Sequence, residues 1–246
     1  MKTRLCFALV AAAGCQYTLA DITSHFDTNT EGWLLVDFPT NGHVATPSTQ
    51  SVPFDAAFGK PAGSLRPGEG FYDTAVAAPA AYLGNHASAY GGQLKYDIYI
   101  RYTDGVTYPS VVINAGTYSL YYVTASPPVN AWESRVVPLS ETGWHYNSSG
   151  GPAATKAQMQ DALSHIAGVY ILTEWHTGDD DTNIDNISMP GGCAADFNKD
   201  GFVNGDDYDS FASLFESGDI GADFNHDGFV NGDDYDGFAS AFESGC

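Results

Sequence analysis

LKYDIYIRY, residues 94–102, alternates without a break: Leu94, Tyr96, Ile98, Ile100 and Tyr102 fall on one side, and Lys95, Asp97, Tyr99 and Arg101 on the other. A period of two is that of a strand with one face in a core and one toward water. The same texture recurs downstream in SVVINA (110–115), YSLYYVT (118–124), WESRVVPL (132–139), GVYILTEW (168–175) and NIDNISM (183–189), with Gly, Pro, Asn and Asp turns between them. Short strands at this spacing predict a mainly β protein, an antiparallel sandwich or jelly roll. One helix interrupts them. In TKAQMQDALSHI (155–166), Thr155 and Gln158 form a capping box, and Met159, Ala162, Leu163 and Ile166 line one stripe. That helix is expected to cover an edge or end of the sandwich. Gly191-Gly192 after Pro190 reads as a linker, so residues 21–190 form one domain and residues 191–246 another.

The second domain holds one motif twice. ADFNKDGFVNGDDYDSFASLFESG (195–218) returns as ADFNHDGFVNGDDYDGFASAFESG (222–245), differing only at Lys199/His226, Ser210/Gly237 and Leu214/Ala241. Oxygen-bearing side chains recur at positions 1, 3, 5, 9 and 12: Asp196, Asn198, Asp200, Asn204 and Asp207, then Asp223, Asn225, Asp227, Asn231 and Asp234. Position 6 is Gly201 or Gly228, where the loop turns sharply, and position 7 is Phe202 or Phe229, which offers a backbone carbonyl. This is the twelve-residue calcium loop of an EF-hand, with Asp for the usual Glu at 12. Calcium suits an all-oxygen set, and the absence of a thiol or histidine cluster disfavours zinc and copper. Two sites, and a module that needs the ion to fold, are expected.

After each loop an amphipathic helix is predicted: Tyr208, Phe211, Ala212 and Phe215, and likewise Tyr235, Phe238, Ala239 and Phe242, fall at i, i+3, i+4, i+7, with Gly218 and Gly245 as stops. Too few residues separate Gly191-Gly192 from Asp196 for a helix before the first loop, so each unit is half an EF-hand, and the two exiting helices must pack on each other. This all-α arrangement resembles dockerin, the two-repeat calcium module of bacterial extracellular proteins. The resemblance implies a docking partner on an extracellular or cell-surface protein, cohesin being the usual one. Gly205-Asp206 and Gly232-Asp233 stand where dockerins carry cohesin-reading side chains, and the helices end in FESG rather than in a longer Leu/Lys/Arg-rich turn.

Residues 1–20 read as an export signal: Lys2 and Arg4 precede an apolar run, and Thr18-Leu19-Ala20 is a small-x-small cleavage site. The run is too short to span a membrane. A lipoprotein-like box at Ala12-Ala13-Gly14-Cys15 is the alternative, anchoring the chain at Cys15. Secretion leaves Cys193 and Cys246, one on each side of the repeats, and an oxidising compartment would join them. Loop-closure entropy for such a ring gives about 4 kcal/mol. The formal charge is −21, and the repeats carry 13 acidic residues against one lysine. With no basic patch, nucleic acid and anionic membranes are poor partners.

FDTNTEGW (26–33), APAAYLGNHASAYGGQLKYDI (78–98), the W-x-S-R-V-V-P-L-x-E-x-x-W stretch (132–144), the TKAQMQDAL helix and the NIDNISM strand together resemble the laminin IV (laminin B) domain. The resemblance implies a jelly roll akin to carbohydrate-binding modules and brings no shared catalytic residues. Three functions follow for this domain. It would bind glycan through Tyr99, Arg101, Glu133, Arg135, Glu174 and His176 if their strands are neighbours, with Trp132, Trp144 and Trp175 as platforms or as core. It would be a polysaccharide hydrolase if Glu133 and Glu174 form a carboxylate pair. It would be an adhesive module if its partner is protein. Asp27, Asp185 and the Asp179–Asp181 run mark where jelly-roll modules often hold a structural ion, or else a strand-end cap and a solvated loop.

Overall fold

A computed structural model of the chain describes residues 21–38, 50–68, 73–105, 107–192, 195–198, 203–224 and 228–244. In chain order the elements are β1 (Ile22–Ser24), β2 (Leu34–Phe38), β3 (Phe54–Asp55), β4 (Ser64–Leu65), β5 (Asp73–Ala77), β6 (Gln93–Ile100), β7 (Pro109–Asn114), β8 (Ser119–Val123), β9 (Trp132–Pro138), β10 (Trp144–Tyr146), α1 (Lys156–Ser164), β11 (Gly168–Leu172), β12 (Thr182–Met189), α2 (Gly205–Ser217) and α3 (Gly232–Ser244).

The strands form two antiparallel sheets. The first runs β3-β4-β12-β6-β9, with β1 also pairing on β12; the second runs β10-β8-β7-β11-β5-β2. Most sequence neighbours cross between the sheets, while β3 and β4, β7 and β8, and β10 and β11 each stay in one, an arrangement that fits the jelly-roll reading. Leu94, Tyr96, Ile98 and Ile100 of β6 are buried against Val111 and Ile113 of β7, Val169 and Ile171 of β11, and Val76 of β5. The fifth residue of that alternating run departs from expectation. β6 ends at Ile100, and Tyr102 is exposed beside His176.

α1 starts where the capping box places it: Thr155 Oγ1 accepts from Gln158 N, and Gln158 Oε1 accepts from Thr155 N. Its stripe of Met159, Ala162 and Leu163 is fully buried in the same core. The strands before Leu94 have no clean alternation in sequence. Two of them, β2 and β5, nevertheless form one edge of the second sheet.

The two helices expected after the loops are present. α2 is capped by Asn204, whose side chain accepts from Asp206 N, and it ends at Gly218 in the left-handed region (φ 66°). Among the described residues no helix precedes the first loop; a short 3-10 turn, Ile220–Ala222, leads into the second. Phe211 of α2 stacks on Phe238 of α3, ring centroids 4.2 Å apart and 11° from parallel. Tyr208 and Tyr235 share a hydroxyl hydrogen bond of 2.8 Å. Each of these pairs joins equivalent positions of the two repeats, so a pseudo-twofold axis runs between the helices.

Candidate functional site

The register places Lys95, Asp97 and Tyr99 of β6 on the outer face of the first sheet. Opposite them on β12 stand Ser188, Asp185 and Asn183, and on β9 Val136, Ser134 and Trp132. Thr23 of β1 extends the first row beyond Ser188. Across this face lies a shallow groove of about 340 Å³, with Thr23, Lys95, Asp97, Ser134, Val136 and Ser188 among its lining residues and His25 and Asn186 at its side. Its floor offers an ammonium, a carboxylate and several hydroxyls beside one valine.

The loop between β3 and β4 closes one end. Lys60 Nζ reaches Asp97 Oδ1 and Ser134 Oγ, each at 3.1 Å, and Ser134 Oγ also donates to Asp97. The backbone of Lys60 is fastened at both polar groups: its N–H donates to Asp185 Oδ2 at 2.6 Å, and its carbonyl accepts from Asn186 Nδ2 at 2.6 Å. Asn186 sits at the bulge of β12 with φ 50° and also donates to Asp97 Oδ2. Asp185 is fully buried. Burial pushes its carboxyl up to about 6, partly offset by N–H donation from Lys60 and Asn186, with Asp97 and Asp27 adding repulsion.

Beyond Lys60, Phe58 stacks on Trp132 (5.5 Å, 22°) and meets Tyr99 edge-on at 4.8 Å. The Arg101 guanidinium lies over both Phe58 and Tyr99, at 5.3 and 5.2 Å. Its Nη1 donates to Asp181 and Asn183, and Arg66 grips Asp181 in a two-pronged bond. An aromatic platform therefore adjoins a hydrogen-bonding groove. Phe58 and Lys60 were missed from sequence because they lie in a loop with no periodic signal.

Of the six predicted ligand residues, only Tyr99 and Arg101 lie on this face. Glu133 and Arg135 pair in register with Ile98 and Tyr96, so they point to the inner side of the first sheet. Arg135 donates to Thr124 Oγ1 and Ala125 O, holds Glu133 at 2.9 Å and lies over the Trp175 ring. Glu174 follows β11 in the other sheet, where its Oε2 accepts from Thr74 N. His176 packs on Tyr102. The single concave row expected from these six does not form, because WESRVVP presents the opposite parity to LKYDIYI. Glu133 and Glu174 each bind a local partner. Trp144 and Trp175 are core, and Trp132 alone of the three tryptophans is partly exposed on the outer face. Arg135→Ala should cost about 2 kcal/mol through its lost charged hydrogen bonds, read as a lower melting temperature of the sandwich.

The outer face of the second sheet is different in kind. Val36, Ala75, Val112, Tyr121, Tyr170 and Leu172 form a second apolar cluster there, all buried. Burial raises the Tyr121 hydroxyl to about 12, with Asp73 adding to it. The polar, accessible face is therefore that of the first sheet.

In the C-terminal repeats Asp196, Asp207 and Asp234 are buried carboxylates. Asp207 accepts from the N–H of Asn198 and of Asn204, Asp234 from that of Asn231, and Asp223 from that of Gly228. Buried carboxylates in a module with a single lysine, arranged with oxygen donors alone, fit a hard cation. Phe229, at position 7, is 71% exposed, which suits a residue used for its carbonyl. Asp200, Phe202, Asn225, Asp227, Cys193 and Cys246 lie outside the described residues, as does the export signal. Among the described residues no group of three or more His, Cys, Asp or Glu gathers as a metal cluster, at Asp27 and Asp185 included. Among the same residues no helix is long and apolar enough to cross a membrane.

The fold and this face define a class: a two-sheet, antiparallel jelly-roll sandwich whose polar face carries a groove. Comparison narrows it. Residues 75–196 match the family Laminin B (Domain IV), so this part of the chain is similar to a laminin IV domain. Human laminin subunit alpha-1 is 30% identical over 126 residues, covering 48% of this chain and 4% of that protein. The mouse basement membrane-specific heparan sulfate proteoglycan core protein is 28% identical over 123 residues, covering 48% and 3%. The chain thus spans a small fraction of the length of these relatives. The L4b domain of human laminin alpha-2 superposes with a TM-score of 0.53 at 18% identity, covering 71% of this chain and 98% of that domain, and so shares the fold.

Proposed function

We propose that this chain is a secreted, non-catalytic recognition protein: its laminin IV-like sandwich binds an uncharged saccharide chain, and its repeats form a calcium-loaded docking module. The observation that carries the first half is the groove of Lys95, Asp97, Ser134 and Asn186 beside the Trp132–Phe58–Tyr99 platform. Hydroxyl-reading donors and acceptors next to an aromatic face are what a sugar ring requires. A formal charge of −21 argues against sulfated or uronic chains, which would be repelled. The mature chain on a panel of neutral polysaccharides should bind at least one. Lys95→Ala and Trp132→Ala should each weaken that affinity about tenfold, equivalent to about 1.4 kcal/mol. Binding to no member of the panel, or binding indifferent to both changes, would remove the reading. Basement-membrane relatives favour one other partner class, extracellular protein, and a cell-matrix extract run alongside the panel tests it.

The spacing of oxygen-bearing side chains in the two repeats supports the second half. Asp196, Asn198, Asp200, Asp207 and the Phe202 carbonyl would hold one ion; Asp223, Asn225, Asp227, Asp234 and the Phe229 carbonyl would hold the other. The Cys193–Cys246 disulfide closes the module in the same proposal. Chelation should abolish the helical circular dichroism of α2 and α3, as should the pair Asp196→Ala with Asp223→Ala. A spectrum unmoved by chelator would sink the calcium assignment. A calcium-dependent protein partner, cohesin-like in kind, is the expected docking target.

A further inference from the structure

We infer that the C-terminal repeats pair between two copies of this chain as well as within one, so that the partner fitting each half-module is the equivalent half of a second molecule. The interface between α2 and α3 is self-complementary. Phe211 meets its own counterpart, Phe238, and the Tyr208 hydroxyl meets that of Tyr235. The flanking contacts are reciprocal. Phe215 lies 5.8 Å from Tyr235, and Tyr208 lies 6.2 Å from Phe242; Phe197 lies 5.8 Å from Phe238, and Phe211 lies 6.3 Å from Phe224. A surface that accepts what it presents is the geometry of a twofold dimer, here folded into one chain.

The side chains do not distinguish the copies. Every aromatic position in those contacts is identical in the two repeats. Of the differing positions, Leu214/Ala241 adds one aliphatic contact to this cluster, and Ser210 bonds back to Asp206 O of its own helix. What favours the partner in the same chain is the connection between repeats. Gly218 closes α2, and Asp219 caps the short turn Ile220–Ala222 by accepting from Gly221 N. Such a short link acts as an effective concentration in the millimolar range. Dilute chains therefore close on themselves. Chains crowded to a similar density, as on a polymer carrying many of them, exchange repeats. The hinge is this same turn, the element that straightens in a domain-swapped pair.

The inference rests on helix packing and is independent of the saccharide reading. Its test unfolds the full chain in urea and refolds it with calcium and dithiothreitol, so that no disulfide traps either form. Light scattering after gel filtration then reads the mass. Refolding near 1 mM should give about half dimer, and refolding near 1 μM almost none, in line with the effective concentration. Deleting Ile220 and Gly221 should make the dimer dominant at 1 μM, because the shortened hinge no longer lets the helices close within the chain. The double variant Phe211→Arg/Phe238→Arg should abolish the dimer at both concentrations. A wild-type chain that stays monomeric at 1 mM overturns the inference, as does a dimer that survives the double substitution. A hinge-deleted chain that is monomeric with its helices intact does so equally. If the hinge deletion unfolds the helices, the wild-type concentration series and the double variant decide alone.

Discussion

Phe211→Ala should melt the C-terminal helix pair and leave the sandwich standing. Phe211 is fully buried, stacked on Phe238 and touched by Phe197, Phe215, Phe224 and Tyr235. Truncating a buried phenylalanine costs about 3–5 kcal/mol, and a module of this size rarely has more than that in reserve. The expected result is loss of the helical signal at 25 °C in the presence of calcium, with the transition of the β-domain unmoved. The ring lies on the pseudo-twofold axis inside the module, so its removal tests folding and not docking. Tyr208→Phe gives the contrast. It deletes one exposed hydroxyl pair and should cost only about 1 kcal/mol. Equal, small effects from both changes would mean that the helices are not held together by this stack.

Asp185 should make the sandwich less stable as pH rises. Its carboxyl is raised to about 6 from an ordinary 3.8, first by burial and then by Asp97 and Asp27. The folded chain therefore holds the Asp185 proton more tightly than the unfolded chain does. Stability from this group is fully present below about pH 4 and is lost as pH climbs through 6. Two pKa units correspond to about 3 kcal/mol. Asp185→Asn should flatten that part of the profile, because an amide at the same place still accepts from Lys60 N and carries no proton to lose. Urea midpoints of wild type and variant between pH 4 and 7 provide the check. Parallel profiles would show that Asp185 does not titrate in this window.

Much of this was legible in the chain. A period of two over residues 94–100 placed β6, and its four buried apolar positions are the four predicted up to Ile100. The Thr155–Gln158 box placed α1, because a cap is a local hydrogen-bonding event with a local signature. The repeat spacing predicted two short helices that bury their stripes on each other, as Phe211 and Phe238 do. The candidate site was legible only in part. Tyr99 and Arg101 lie together on the outer face, but Glu133, Arg135, Glu174 and His176 were assigned to a face that they do not share.

The physical reason lies in what periodicity encodes. Alternation says which residues of a strand share a side, and from sequence alone it determined two antiparallel layers, one helix and a paired half-helical module. It does not say which side of one strand faces the same way as another, since register is set by pairing partners far apart in the chain. Only the tertiary structure turned Glu133 and Arg135 inward while leaving Lys95, Asp97 and Ser134 in the groove. Only it brought Lys60 onto Asp185, 125 residues away, and Phe58 onto Trp132. Only it covered the far face of the second sheet with apolar contacts. Loops carry no period, so the residues that close the site became visible only when the two sheets were packed.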